Sequence, residues 1–292
     1  MADQHDITIK KPVEFWNREL SISLKDLFSS LGKVAISGAV LDSQGVAENL
    51  LDTANNIAPQ DRPAAAAWLL IYKSLQQSLS ELITEYKDFF SDKADNSKLL
   101  QLAGKIEATL NSNEVGLSAT FFDQPEKNVL LEDIKDPLSQ WLEVLGMSEV
   151  EASAFHQRLK NRFVLALHQQ WLAAPKEYVC IEEAVNSPFV KATSEQRRWM
   201  QYNAWIQEQA NERLFSEAFS LRQIFVPLRA YYNEKVPSPD DKIDRSNSSE
   251  IKRVVVDLHT EVETWVRNFD KEHAVRVISG GPGSGKSSFA KM

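Results

Sequence analysis

The stretch 61–90, DRPAAAAWLLIYKSLQQSLSELITEYKDFF, decides the fold class of this chain. Its apolar residues recur every three or four positions over about eight turns, which is the period of an amphipathic helix. Asp61 is an N-cap candidate, and Pro63 falls in the first turn, where a missing backbone N–H costs little. The stretch therefore predicts one long helix with an apolar face.

The segments on both sides of this stretch keep the same period, so we expect residues from about 20 to 222 to be almost entirely helical. Ser148 and Glu151 form the pattern of a capping box, and Pro137 marks a break or a new start. Residues 111–116 are expected as a loop. The predicted helical stretches are 21–40, 61–90, 96–110, 129–145, 148–171 and 194–219.

Composition bounds the class of protein. The 292 residues allow one large or two ordinary domains, and 43% hydrophobic residues with seven Trp and fourteen Phe supply a substantial core. A net charge of −8 argues against a chain that coats nucleic acid or an anionic membrane. The single cysteine, Cys180, excludes an internal disulfide and a thiolate metal site. With a polar, acidic start and no apolar run of membrane-spanning length, we expect a soluble cytoplasmic protein.

Two helical stretches allow a second interpretation. Residues 21–40 are amphipathic and rich in small residues, so they could leave the bundle and enter a membrane or a partner. The absence of a basic face favours a core helix instead. The run Arg197–Tyr202 could form a basic, aromatic patch that stacks nucleic-acid bases. Helical spacing favours an aromatic core stripe with solvated arginines, and no nucleic acid is expected as a partner.

The helical region offers no convincing catalytic set. His156 and His168 point about 120° apart on one predicted helix, so they cannot share a metal and are expected as ordinary surface or hydrogen-bonded histidines. The run Tyr178–Glu183 imitates the acidic strand end that holds magnesium in NTPases, but it precedes the phosphate loop. Because the run continues as Ala184-Val185, we expect a short helix there.

The helical pattern breaks at 224–232, where β-branched and aromatic residues flank Pro227 and indicate an extended segment. Residues 233–250 are rich in Pro, Ser, Asp and Asn, which is typical of a linker. Helix is expected to resume near Ser249. The predicted domains are a helical N-terminal domain at 1–232, a linker at 233–248 and the start of a nucleotide-binding domain at 249–292.

The glycine-rich run 280–288, GGPGSGKSS, matches the phosphate-binding pattern G-x-x-x-x-G-K-[ST]. Residues 274–279, AVRVIS, precede it as a predicted buried strand, and a helix is predicted from Lys286. Glycines let the backbone approach an anion, and the following helix adds its positive end. Lys286 is expected to contact the β- and γ-phosphates, and the Ser287 hydroxyl to ligate Mg²⁺. The candidate nucleotide-binding residues are Gly280, Gly281, Gly283, Ser284, Gly285, Lys286, Ser287 and Ser288.

The sequence ends five residues after Ser287, so it supplies neither a metal-holding acid nor further parallel strands after the loop. The expected fold is mainly α: a multi-helix domain followed by the first strand–loop–helix unit of a truncated α/β nucleotide-binding domain. We expect these residues alone not to turn over ATP.

The run Phe219–Tyr231, FSLRQIFVPLRAY, followed by a linker and by 275–289, VRVISGGPGSGKSSF, resembles bacterial NACHT-type NTPases of the STAND class. The resemblance covers mainly 215–291. It implies an ATP-driven switch, often in anti-phage defence, with ATP and Mg²⁺ as cofactors and control of oligomerisation by nucleotide. The resemblance does not say what the helical domain does; we expect it to contact a protein partner or to self-associate.

Two alternatives stay open. The chain could be the helical extension of another P-loop enzyme, such as a helicase or a small-molecule kinase. It could also be an adaptor that binds another protein.

Overall fold

The computed structural model describes residues 7–9, 23–37, 58, 61–112, 115–117, 119–127, 129–213, 219–237, 249–268, 271 and 274–292. The chain divides into two compact units, Met1–Ser220 and Leu221–Met292. Each unit is described by itself.

The first unit is helical, as the apolar periodicity predicts. Its helices are α1 Leu24–Ser37, α2 Arg62–Glu85, α3 Asn96–Ser112, α4 Ala119–Asp123, α5 Val129–Asp133, α6 Lys135–Val144, α7 Glu149–Ala173, α8 Val179–Ala184 and α9 Ser194–Asn211. Two short strands, β1 Ile7–Ile9 and β2 Val115–Leu117, pair antiparallel with Ile7 opposite Leu117. The described part of this unit contains no sheet of three or more strands.

The core of this unit forms where α2 and α7 pack together, with α1 against α2 and α6 against α7. Helix α3 packs on α1 and α6. Trp68 on α2 and Trp141 on α6 are fully buried, and the Trp141 ring meets Phe28 edge-on at 5.6 Å. Leu24, Phe28 and Leu31 of α1 are completely buried, so this stretch is a core helix, as predicted. Among the residues described, no helix is long and apolar enough to cross a membrane.

The helix starts follow the sequence signals with one exception. Ser148 caps α7 through the predicted capping box, donating its N–H to Glu151 Oε2 at 2.7 Å. Pro137 lies in the first turn of α6 and so marks a new start. Asp61 does not cap α2, because its backbone is already helical (φ −97°, ψ −10°) and its side chain accepts no capping hydrogen bond.

The segments between helices show two differences from expectation and one agreement. Residues 111–116 are not all loop: α3 runs to Ser112, and Val115 starts β2. A three-residue strand has too few positions to show an alternating pattern, so periodicity could not reveal it. The run Tyr178–Glu183 closes a 3₁₀ turn and continues into α8, which confirms the predicted short helix.

The second unit contains a β-hairpin that the sequence did not predict. Strands β3 Arg229–Pro237 and β4 Ser249–Asp257 pair antiparallel from Arg229 opposite Asp257 to Pro237 opposite Ser249. Residues 233–237 are therefore strand rather than linker, and 249–257 are strand rather than helix. The β-branched run Val254–Val256 favours this outcome. The rest of the expected linker, 238–248, lies outside the described residues.

Short helices complete the second unit: α10 Leu221–Ile224, α11 Leu258–Arg267 and α12 Lys286–Lys291. The helix expected near Ser249 starts at Leu258, where Asp257 accepts the N–H of Thr260 at 2.9 Å. The buried strand expected at 274–279 is not formed: Val275 and Val277 are exposed, and no ladder joins this segment to another described strand. A buried parallel strand requires neighbours on the sheet, and none is paired with it here.

Candidate functional site

The phosphate-loop candidate is a tight turn built on two left-handed glycines. Gly283 and Gly285 have φ angles of 75° and 80°, a region that residues with a Cβ rarely adopt. A Cβ at Gly285 would also lie 3.0 Å from Leu228 Cδ1. Two glycines of the sequence pattern therefore stand where the backbone requires them.

Lys286 lies folded into this loop. Its Nζ donates hydrogen bonds to the carbonyl oxygens of Gly280 at 2.6 Å and Gly281 at 3.0 Å, and to Ser284 Oγ at 3.1 Å. The structure thus brings four of the eight candidate residues into direct contact. The result is a positive charge held at the centre of a glycine-rich turn.

The donors of this loop suit a phosphate group. Lys286 is the first residue of α12, and the first N–H groups of a helix have no acceptor within the helix. Ser287 is exposed in the same turn, and Ser288 is half-buried. The described residues contain no cluster of three or more His, Cys, Asp or Glu that could hold a metal ion.

Helix α9 carries a second candidate surface, and here the sequence-based expectation is wrong. Trp199, Tyr202 and Trp205 are 62%, 49% and 46% exposed, and Ile206 is exposed beside them. The Tyr202 ring meets Trp199 edge-on at 5.9 Å and stacks on Trp205 at 5.8 Å, with an interplanar angle of 26°. These four residues form a continuous strip on the surface rather than a core stripe. We call it the α9 aromatic face.

The inward side of α9 is polar. Arg197, expected to be solvated, is only 3% exposed, whereas Arg198 is exposed. The Arg197 guanidinium lies 4.3 Å from the ring centre of Trp171, and its Nη2 donates to the Val190 carbonyl at 3.0 Å. Burial lowers the pKa of Arg197 to about 10, although Glu182 works in the opposite direction. Arg197 thus occupies an aromatic box, where its charge meets ring faces and carbonyls.

The C-terminal half of α9 is attached by a buried charge network, which we define as Glu81, Glu85, Arg158, Arg162 and Glu208. Arg158 and Glu208 are each 1% exposed. Arg158 Nη2 lies 2.6 Å from Glu85 Oε2 and 3.2 Å from Glu208 Oε1, and Arg162 also pairs with Glu208 at 3.2 Å. Burial raises the pKa of Glu208, while Arg162 and Arg158 lower it. Helices α2, α7 and α9 therefore meet through charged groups at this point.

A scan against protein-family models matches residues 17–221 to the NACHT N-terminal helical domain 3, which is more than half of the chain. The chain belongs to this family. No curated protein and no solved structure matches the chain. The NACHT N-terminal helical domain thus spans α1 to α9, and its match ends at Leu221, where the second unit begins.

The two histidines of the NACHT N-terminal helical domain are both buried on α7. His156 Nε2 lies 2.8 Å from the Leu131 carbonyl, which makes it a hydrogen-bonded core histidine, as expected. His168 packs on Phe189 at 5.0 Å, but its Nδ1 has no hydrogen-bond partner within the described structure. Burial, reinforced by the neighbouring Arg197, lowers the pKa of His168 to about 4. His168 is therefore neutral at pH 7.

Sequence reasoning missed the α9 aromatic face and the buried charge network. One sequence feature could have indicated both. Helix α9 contains more polar than apolar residues, so its aromatic residues cover only a narrow strip of the helix surface. Either the aromatic strip or the opposite, polar face of α9 can then pack against the core. The mean hydropathy of the helix does not say which one does.

Proposed function

We propose that this chain is the N-terminal signalling part of a NACHT-type, ATP-dependent switch protein of the STAND class that acts in bacterial anti-phage defence. In this proposal residues 280–288 bind the nucleotide, and the NACHT N-terminal helical domain passes on the signal. One observation carries it: a chain of this family also holds a GKS loop with left-handed glycines and a lysine folded into its centre. The family match favours this role over a helical extension of a helicase or kinase.

The chemistry assigned to the loop follows from its donors. The Lys286 ammonium and the N–H groups of residues 283–287 would hold the β- and γ-phosphates, and Pro282, which lacks an N–H, would only shape the turn. The Ser287 hydroxyl would ligate Mg²⁺. ATP, when bound, supplies the triphosphate whose exchange or hydrolysis drives the switch. These residues alone are expected to bind ATP without hydrolysing it.

The helical domain is assigned a role in protein contact. The support for this assignment is the exposed α9 aromatic face, which is the kind of apolar surface that marks interaction sites on soluble proteins. The contact is with a protein partner or with another copy of the chain, and the proposed location is the cytoplasm. An adaptor function without nucleotide is the second candidate, supported by the same face.

The first prediction tests the nucleotide site directly. Lys286→Ala should weaken binding of Mg·ATP by about 10- to 100-fold, because a charged hydrogen bond to phosphate contributes about 1.5–3 kcal/mol. Titration calorimetry on the 292-residue chain gives the dissociation constant, and GTP in a parallel titration gives the base preference. Lys291→Ala is the matched control, since it removes an exposed lysine from the same helix.

Equal binding by the wild type and Lys286→Ala would contradict the assignment of this loop to phosphate. Absence of any nucleotide binding would favour the adaptor function. In a longer protein that includes these residues, Lys286→Ala should abolish protection of cells against phage, and retained protection would make the loop dispensable.

A further inference from the structure

We propose that the α9 aromatic face is the contact surface for a second copy of this chain, with two α9 helices crossing antiparallel at Tyr202. The inference rests on the protein-contact part of the proposed function and names its surface and its partner. It does not depend on nucleotide binding.

Helix α9 is oriented against the solvation preferences of its side chains. It turns two tryptophans, a tyrosine and an isoleucine outward, and it buries Arg197, Glu208 and Asn211. Covering apolar surface is favourable by about 25 cal/mol per Å², so leaving these rings in water forgoes stabilisation. Burying charged groups carries a desolvation cost as well. An outward face of this kind gains its stabilisation when another surface covers it.

The distribution of charge around the α9 aromatic face favours a second copy as the partner. Two identical chains of net charge −8 repel each other over most of their surfaces. The exposed positions of α9 from Trp199 to Gln207 carry no charged residue, and Glu195 and Arg198 at the flank offset one another. The α9 aromatic face is thus a neutral area on an acidic chain, where two copies approach without repulsion. Nucleic acid fits less well, because Arg197 is buried rather than available to phosphates.

The three rings are spaced symmetrically along α9. Trp199 and Trp205 lie three residues to either side of Tyr202. A two-fold axis through Tyr202 therefore places each Trp199 against the Trp205 of the other copy, and the two tyrosines against each other. A self-complementary patch of this type is what an isologous dimer requires. The row of rings already follows the edge-on and stacked geometries that aromatic pairs prefer.

The size of the face sets the strength of the contact. From Trp199 to Trp205 the helix rises only about 9 Å, and a stable interface buries roughly 800 Å² on each partner. Four partly exposed side chains supply less than that. The dimer is consequently weak, with a dissociation constant in roughly the micromolar-to-millimolar range, and it responds to local concentration.

Sedimentation velocity of the 292-residue chain over a concentration series tests the proposal and forms the second prediction. The wild type should shift from monomer to dimer as concentration rises. Tyr202→Glu and Tyr202→Lys should each weaken association at least about tenfold, because two like charges then meet at the axis. An equimolar mixture of the two variants should regain association, since opposite charges then face each other. Leu100→Glu, at an apolar position on α3 that is 46% exposed, should associate as the wild type does.

Each remaining outcome decides against the proposal. A wild type that stays monomeric at every concentration excludes this partner, and a Tyr202→Glu variant that dimerises normally excludes this face. A mixture that stays monomeric excludes the two-fold contact at Tyr202, and co-sedimentation of the monomer with a short oligonucleotide selects nucleic acid instead.

Lys286→Ala should dimerise normally, which separates this contact from the nucleotide site. Circular dichroism checks folding, and both replacements at the exposed position 202 are good helix formers.

Discussion

Helices α2 and α9 both pack on α7, yet they bury opposite kinds of side chain. Helix α2 directs Trp68, Leu79 and Leu82 into the core, and none of its charged residues is buried. Helix α9 directs Arg197 and Glu208 inward and exposes its aromatic residues. An apolar stripe therefore predicts a helix reliably but does not say which face of the helix meets the core. In α2 the stripe serves folding, whereas in α9 it is available for binding.

The largest expected effect uses the same substitution in both helices. Trp68→Ala should destabilise the fold by about 3–5 kcal/mol, because it removes a fully buried ring from the core. Trp205→Ala, the matched control on the α9 aromatic face, should change the free energy of unfolding by less than about 1 kcal/mol. Urea denaturation followed by circular dichroism measures both values. Equal losses of unfolding free energy in the two variants would show that the α9 tryptophan contributes to the fold as much as the α2 tryptophan does.

A second test concerns how α9 is held. Arg158→Met should lower the free energy of unfolding by about 3 kcal/mol. The substitution removes one partner of a buried ion pair, so the buried Glu208 carboxylate keeps fewer cations to balance its charge. Adding Glu208→Leu should recover part of that loss, since the double variant replaces two buried charges with apolar groups. Urea denaturation of the two single variants and the double variant gives the coupling. Simply additive losses would mean that the network does not act as one unit.

The smallest expected effect is a pH dependence at the N-terminal end of α9. The charged group that acts on His168 is Arg197 on α9, and Arg197 Nη2 in turn lies 3.9 Å from Glu182 Oε1. Because the folded-state pKa of His168 is lowered to about 4, the unfolded chain binds the proton first as the pH falls below about 6.5. The stabilisation is therefore complete at neutral pH and is lost as pH falls from about 6.5 towards 4.

Between pH 7 and pH 5 this loss should amount to roughly 2 kcal/mol. The unfolding free energy measured at both pH values, for the wild type and for His168→Gln, isolates it, because all other groups are common to the two proteins. The variant should lose correspondingly less stability on acidification. A pH dependence that is identical in both proteins would place the titration elsewhere.

Much of the first unit was predictable, and the reasons are local. Capping at Ser148 and the new start at Pro137 depend on residues close in sequence, so the sequence reveals them. The β1–β2 ladder joins residues more than a hundred positions apart and has only three pairs, so no local sequence pattern predicts it. The burial of Glu208 depends on arginines of α7, which a reading of α9 alone does not include.

The second unit was predictable at its loop but not around it. Gly283 and Gly285 adopt left-handed angles because the turn needs them, and the glycine pattern indicates this directly. The hairpin was missed because Val254, Val255 and Leu258 imitate helical spacing, whereas the ladder of β3 and β4 ends at Asp257. Apolar content at 274–279 indicated a buried strand, although burial depends on neighbours that a local pattern cannot supply.

The placement of the tryptophans has an optical consequence. Trp68, Trp141 and Trp171 are fully buried, whereas Trp199 and Trp205 stand in solvent on α9. Indole emission shifts to longer wavelength in water, so Trp199 and Trp205 contribute to the red edge of the fluorescence spectrum and the three buried rings to the blue edge. A soluble quencher such as iodide will suppress the red edge first. The chain thus carries a label-free reporter: the emission of the buried rings follows folding, and the emission of Trp199 and Trp205 follows whatever covers α9.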